Sequence, residues 1–273
     1  LTTILLQTTR LMTISDITTL LESIAPAHLQ ESYDNAGLIV GNPTTEVTGV
    51  LTRLDCTEAI IAAAKARGCN LVVAHHPIVF RGLKRFNGND YVERTVIKAI
   101  KEDVAIYAIH TNLDNVRHQG VNERIAQRLG LQHLRLLKPK NEEGTVGSGM
   151  VGELPTALIG EDWLAYLKEK MELRVIKHTV LSEQPVKTVA LCGGAGGFIL
   201  SDAKAAGAQA FVTSDYKYHE FFDADGDLVI CDIGHYESER FTTQLLAELL
   251  TKKFPTFAVL CTELTTNPVR YFT

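Results

Sequence analysis

No run of lysine and arginine occurs anywhere in this 273-residue chain, whose formal net charge is −5 and whose pI is about 6.0. The electrostatic footprint of a nucleic-acid binder is therefore missing. No apolar stretch approaches the roughly 20 residues that a membrane-spanning helix requires, so a membrane protein is not expected. No basic segment precedes the short apolar patch in LTTILLQTTRLMTISD, which argues against a signal peptide. None of the five cysteines (Cys56, Cys69, Cys192, Cys231, Cys261) forms a Cys-x-x-Cys pair, and their number is odd. Buried thiols in a reducing cytoplasm fit that usage better than disulfides or a thiolate zinc site. Internal repeats and low-complexity segments are absent too.

What is present is ordinary globular composition, 45% hydrophobic and 22% charged, enough for one large or two modest domains. Residues 1–11 are expected to be an extension without functional meaning. Met12 reads as the natural start, and Ser15 reads as the cap of a helix beginning at Asp16. Downstream, strand and helix alternate: TGVLTRLD, CTEAIIAAAKARG, NLVVAHHP, DYVERTVIKAIKED, VAIYAIHTNLD, GVNERIAQRLGL. That alternation predicts an α/β fold with mainly parallel sheets flanked by helices. Between Leu134 and Gly152 the texture becomes polar and glycine-rich, and a lobe boundary is expected there. The expected division is residues 12–138 plus 232–273 as one α/β lobe and 139–231 as a second. In the second, LRVIKH, KTVALCGGAGG and AQAFVTS read as strands, and EDWLAYLKEKM and FILSDAKAAG as helices.

In open α/β sheets, ligands gather outside the carboxyl ends of the strands. Four of the nine histidines fall at such ends: His75, His76, His110 and His235. Asp114 follows His110 in HTNLDN, and Glu239 follows His235 at helical i, i+4 spacing in GHYESE, so that pair shares one helix face. Adjacent strand residues point to opposite faces. His75 and His76 can therefore meet in one cleft only where Pro77 ends the strand, and there they would serve different ions. Each motif alone has a plain structural reading, such as a core histidine or a capping aspartate. Together, His75, His76, Asp114, His235 and Glu239 form a sulfur-free nitrogen and oxygen set. It suits two divalent ions of Zn, Fe, Mn or Co bridged by a carboxylate or hydroxide. His110 is left as the candidate general acid/base.

CGGAGGF joins a strand to a helix. It fails the dinucleotide fingerprint, because Ile199 replaces the third glycine, and it lacks the Gly-Lys-Ser/Thr of a P-loop. A tight turn is the expected reading, with the anionic tail of a substrate such as a triphosphate as its one candidate ligand.

The stretches YDNAGLIVG (33–41), HHPIVF (75–80), HTNLDNV (110–116), GGAGGF (193–198), TSDYKYHE (213–220) and GHYESE (234–239) occur in this order. Together they resemble the GTP cyclohydrolase type-two homologues, the NGG-one-interacting-factor-three-like proteins, from about Met12 to the C-terminus. The resemblance implies a two-lobed α/β subunit with a dinuclear metal site in its cleft, assembled into a toroidal homohexamer. It carries the ligand role onto the same five residues. Ser214 departs from a position where glycine is common, which weakens a catalytic role for Asp215 or His219. The large mid-chain insertion of some relatives is missing. The implied activity is hydrolytic opening of the guanine ring of GTP with release of formate. A phosphoesterase-type metallohydrolase and a non-catalytic metal-binding hexameric scaffold are the alternatives.

Overall fold

The computed structural model describes residues 11–262 and 264–272. The expected extension thus lies outside the described residues apart from Leu11. The first described helix, α1 (Ile14–Ile24), is capped by Thr13 rather than by Ser15. Asp16 reaches back to take the Thr13 N–H at 2.8 Å, and Ile14, Ile17 and Leu21 bury one face of the helix.

There follow β1 (Gly37–Val40), β2 (Val50–Arg53), α2 (Glu58–Ala66), β3 (Leu71–Ala74), α3 (Tyr91–Lys101) and β4 (Ala105–Ala108). Strands β2, β3 and β4 are buried at every residue, as central parallel strands covered on both faces must be. Thr57 and Asp90 start α2 and α3 by accepting backbone N–H groups of Ile60 and Glu93. Next come α4 (Thr111–Asp114), α5 (Val121–Arg128), β5 (Gln132–Pro139), β6 (Gly147–Leu158), α6 (Gly160–Lys170) and β7 (Lys177–His178). The chain then forms β8 (Val186–Ala195), α7 (Leu200–Ala205), β9 (Ala210–Ser214) and β10 (Val229–Asp232). Finally α8 (His235–Glu239), α9 (Thr242–Lys253) and β11 (Val259–Cys261) lead back to the first sheet.

The first sheet has the order β1-β4-β3-β2-β11, parallel except for β1. The second has the order β5-β6-β8-β9-β10-β7, and only β8, β9 and β10 run parallel. The expectation of mainly parallel sheets therefore holds for the first and not for the second, which is mixed. The cause is the segment 134–152. Its polar texture marks an edge strand and its hairpin partner, β5 and β6, and β5 buries only Leu136 and Leu137. A solvent-facing edge strand reads as polar because half of it never meets a core. Likewise, the expected strand 173–178 shrinks to the two-residue β7, an edge partner of β10.

One continuous core joins the sheets, running from Ile14, Leu71 and Tyr107 through Leu113 and Ile125 to Trp163, Val189 and Val212. Register sets what this core presents. Arg53 pairs with Ala74, and Ala74 with Ala108, so β2, β3 and β4 end level with one another. In the second sheet Asp232 pairs with Thr213, and Ala195 with Ser214. Residues just beyond these ends come from both sheets and converge in one place. No helix among the described residues is long and apolar enough to cross a membrane. The cysteines are all free thiols, and only Cys261 is exposed.

Candidate metal centre

β3 ends into His75 and His76. Their N–H groups still bond to Arg53 and Leu54 carbonyls at 3.1 and 2.9 Å, while the chain bends at both residues before Pro77. The two rings splay, with centroids 4.9 Å apart. His75 is completely buried. Its Nδ1 lies 2.8 Å from the Ile109 carbonyl, which can only accept, so Nδ1 carries the proton and Nε2 the lone pair. Burial is the main reason its pKa falls to about 3. At neutral pH it is uncharged, with its Nε2 lone pair free to bind a cation.

His75 Nε2 points at two carboxylates: Asp114 Oδ1 at 3.6 Å and Glu239 Oε1 at 3.9 Å. Neither His75 Nε2 nor Asp114 Oδ1 has a hydrogen-bond partner, although both are buried. Two acceptors facing each other in a dry site are unfavourable unless a proton or a cation lies between them. Burial and the Glu239 charge hold the Asp114 carboxyl well above the usual range, the effect of a low-dielectric site and a neighbouring like charge. Ligand atoms around an ion bound at about 2.0–2.1 Å stand roughly 3.3 Å apart in tetrahedral geometry, so this trio fits a small divalent cation.

A second trio adjoins the first. Glu239 Oε2 lies 3.0 Å from His76 Nε2 and 3.0 Å from His235 Nε2. His235 and Glu239 are the first and last residues of α8. The i, i+4 pair therefore converges as helical spacing requires. Burial works against charge on His76, but hydrogen bonds to Asp55 and Glu239 outweigh it and raise its pKa to about 9. His235 rises further, to about 11, because the Glu239 charge and the Asp215 hydrogen bond overcome its burial. Glu239 is itself buried, yet the His235 and His76 charges hold it far below the usual range.

Thus His75, Asp114 and Glu239 form one group able to hold a metal ion, and His76, His235 and Glu239 form another, with the ligand atoms of each within 4.8 Å of one another. Glu239 belongs to both, one oxygen to each. His110 is close as well: its ring centroid lies 5.2 Å from those of both His75 and His76. All six residues singled out in the sequence meet here. The loop position expected for Asp114 is in fact the last residue of the one-turn α4.

Three aspartates that orient the imidazoles were missed. Asp55 bonds His76 Nδ1 at 2.8 Å, Asp34 bonds His110 Nδ1 at 2.8 Å, and Asp215 bonds His235 Nδ1 at 2.7 Å. Each fixes a ring so that Nε2 faces inward, the arrangement that supports metal-ligating histidines. A signal existed: Asp55 and Asp215 stand just past the ends of β2 and β9, where only histidines had been sought. Thr266 had no such signal. It comes from the irregular C-terminal segment and donates to Asp55 Oδ2 at 2.6 Å.

The glycine loop borders the same centre, but its amides are already committed. Gly193, Gly194 and Gly196 N–H groups donate to Asn122, Ser238 and Thr213 at 2.9, 3.0 and 2.9 Å. These three groups therefore offer no free N–H to the anionic tail that was the loop's one candidate ligand. Close approach explains the glycine instead. A Cβ on Gly194, whose φ is +64°, would stand 2.5 Å from Glu239 Oε1.

Two openings reach the centre. A cleft of about 190 Å³ exposes His110, Asp114, His235 and Glu239 beside Gly193–Ala195. A pocket of about 620 Å³ meets His76 and His235 from the other side, with Asn267–Val269 and Tyr271 in its wall.

Residues 12–268 match the family described as Duf34/NIF3 (NGG1p interacting factor 3). The chain belongs to this family. A Clostridium perfringens relative named GTP cyclohydrolase 1 type 2 homolog is 33% identical over 84% of this chain and 87% of its own. A Lactococcus lactis relative of the same name is 33% identical over 88% and 91%. Among solved structures, a Staphylococcus aureus hypothetical protein superposes with a TM-score of 0.88 at 29% identity, over 96% of this chain and 100% of that one. A Bacillus cereus protein related to NIF3 gives 0.88 at 24% identity over 97% and 100%, which supports the fold alone.

Proposed function

We propose that this Duf34/NIF3 protein is a metal-dependent hydrolase whose centre takes two divalent ions that share Glu239. The observation that carries the reading is the pair of orphaned, inward-facing atoms, His75 Nε2 and Asp114 Oδ1, beside a carboxylate already common to a second trio. His75, Asp114 and Glu239 would hold one ion, and His76, His235 and Glu239 the other. Bound Zn, Fe, Mn or Co would supply Lewis acidity and make water a stronger acid. The chain's own residues supply the rest. Asp34 fixes His110 so that its Nε2 faces the cleft, where it can accept a proton from water or return one to a leaving group.

The names of the relatives and the motif resemblance favour hydrolytic ring opening of GTP with formate release. Phosphoester hydrolysis is the competing reaction. Metal-loaded protein should release formate or phosphate above a chelated control. His110→Ala should cut turnover by about 100-fold or more with metal content preserved. Full metal loading without turnover across nucleotides and phosphoesters would leave the scaffold reading in its place.

We also propose a closed homohexamer in the cytoplasm. Support comes from the resemblance, from the free thiols, and from exposed Val180, Tyr218 and Phe222 near β7. A stable monomer by light scattering at micromolar concentration would refute the assembly.

A further inference from the structure

The lining of both openings bears on what the centre can accept. Asp55, Asp215, Asp232 and Glu237 line the larger pocket, and Lys177 is the one lysine or arginine among its lining residues. That ammonium lies 2.5 Å from Asp232, whose carboxylate also accepts the Tyr216 and Gly234 N–H groups. The smaller cleft is lined by Glu31, Asp114 and Glu239 and by no lysine or arginine. Lys140, beside it, is committed to Glu31 and to Asn115. Three of the glycine-loop amides, those of Gly193, Gly194 and Gly196, are bonded internally.

Metal charge does not reverse this balance. The ligand carboxylates Asp114 and Glu239, with Asp34, Asp55 and Asp215 behind the imidazoles, match or exceed the charge of two divalent ions. A polyphosphate would enter a field that is already neutralised, with no lysine or arginine free of a carboxylate partner among the residues lining either opening.

Another chemistry is provided for. Leu54, Val175, Ile233, Tyr236 and Val269 give the larger pocket apolar and aromatic walls. Asp215 spends Oδ2 on His235, and its other oxygen has no hydrogen-bond partner among the described residues. The Asp215 side chain is half exposed. A carboxylate in such a wall accepts from ring N–H and exocyclic amino groups.

We infer that the pocket takes a neutral or cationic heterocycle with N–H donors, held by Asp215 and the apolar walls, and selects against polyphosphates. This rests on the hydrolase reading of the same centre and departs from GTP as its preferred substrate: an unphosphorylated ring is taken, and a polyphosphate tail is disfavoured.

The test is calorimetric titration of zinc-loaded protein with guanosine, guanine and GTP, with magnesium in excess over nucleotide. Guanosine or guanine should bind at least about tenfold tighter than GTP. Val269→Arg, a half-exposed wall position, should keep metal content and shift the ratio toward GTP by about tenfold or more. Asp215→Asn should weaken guanosine, and its metal content is measured alongside because Asp215 also positions His235. The inference is overturned if GTP binds the native protein more tightly, if no unphosphorylated ring binds at millimolar concentration, or if Val269→Arg leaves the ratio unchanged. Binding is read independently of turnover. The expected order with no hydrolysis would reject the enzyme reading alone, and hydrolysis with the reverse order would reject this inference alone.

Discussion

The two halves of the candidate metal centre differ in how their donor groups are satisfied. Around His75 the imidazole is neutral and dry, and it faces an unpartnered Asp114 oxygen. Around His76 and His235 the imidazoles are charged and paired with Glu239, Asp55 and Asp215. In the first half a proton or a bound cation between His75 Nε2 and Asp114 Oδ1 would resolve the facing acceptors. The second is held together by protons that an ion must displace. Burial explains the contrast: His75 is fully enclosed, whereas the His235 side chain is 39% exposed at a pocket mouth. One carboxylate, Glu239, ties both halves together.

The largest effect should come from removing that tie. Glu239→Gln preserves shape but withdraws the charge shared by both trios, so elemental analysis should show both ions lost. Affinity should fall by at least about 100-fold. Retention of one full equivalent would break the idea of a shared ligand.

Separating the halves is the next step. His75→Ala should abolish one binding phase and leave the other, and His76→Ala should do the reverse. His75→Ala should also lower Tm, since it leaves the buried Ile109 carbonyl without its donor, a cost of about 1–3 kcal/mol. Identical metal profiles in the two variants would show that the division is not real.

Thr266→Val sharpens the comparison further. Loss of the hydroxyl that holds Asp55 should weaken the His76 half by about tenfold and spare the His75 half. Thr266→Ser should restore it.

The pH response follows from the charged half. His76 is raised from 6.5 to about 9, so at neutral pH an ion must expel its proton, and affinity there should climb as pH rises toward 9. In chelated protein the same raised pKa contributes stability that is complete below 6.5 and lost as pH passes about 9. Tm of the chelated form should therefore fall across that window. The loaded form, whose imidazoles are already neutral ligands, should not follow. The smallest effect is a control: His178→Ala, at an exposed position on β7 outside both trios, should leave metal content unchanged.

Much of this centre was legible because histidine is scarce and strand ends are recognisable. Buried apolar runs fixed β3, β4 and β10, and the side chains following them had to emerge at one edge. Helical spacing placed His235 and Glu239 on one face, and they read as ligands only together with the residues at the other strand ends. The supporting aspartates were harder, since a loop aspartate looks the same whether it caps a turn or orients a ring. The second sheet was misjudged as mainly parallel because the polar composition of β5 did not reveal an edge strand paired antiparallel with β6.

Sequence by itself determined the metal-capable residue types, the helix faces and the mainly parallel character of the first sheet, because periodicity and burial act locally along the chain. Only the tertiary structure decided that Glu239 serves both trios, that Asp34, Asp55 and Asp215 aim the rings, and that Thr266 reaches Asp55 across 211 positions. Those are contacts between distant segments, set by strand register and the shared core, and no local pattern encodes a distance in space.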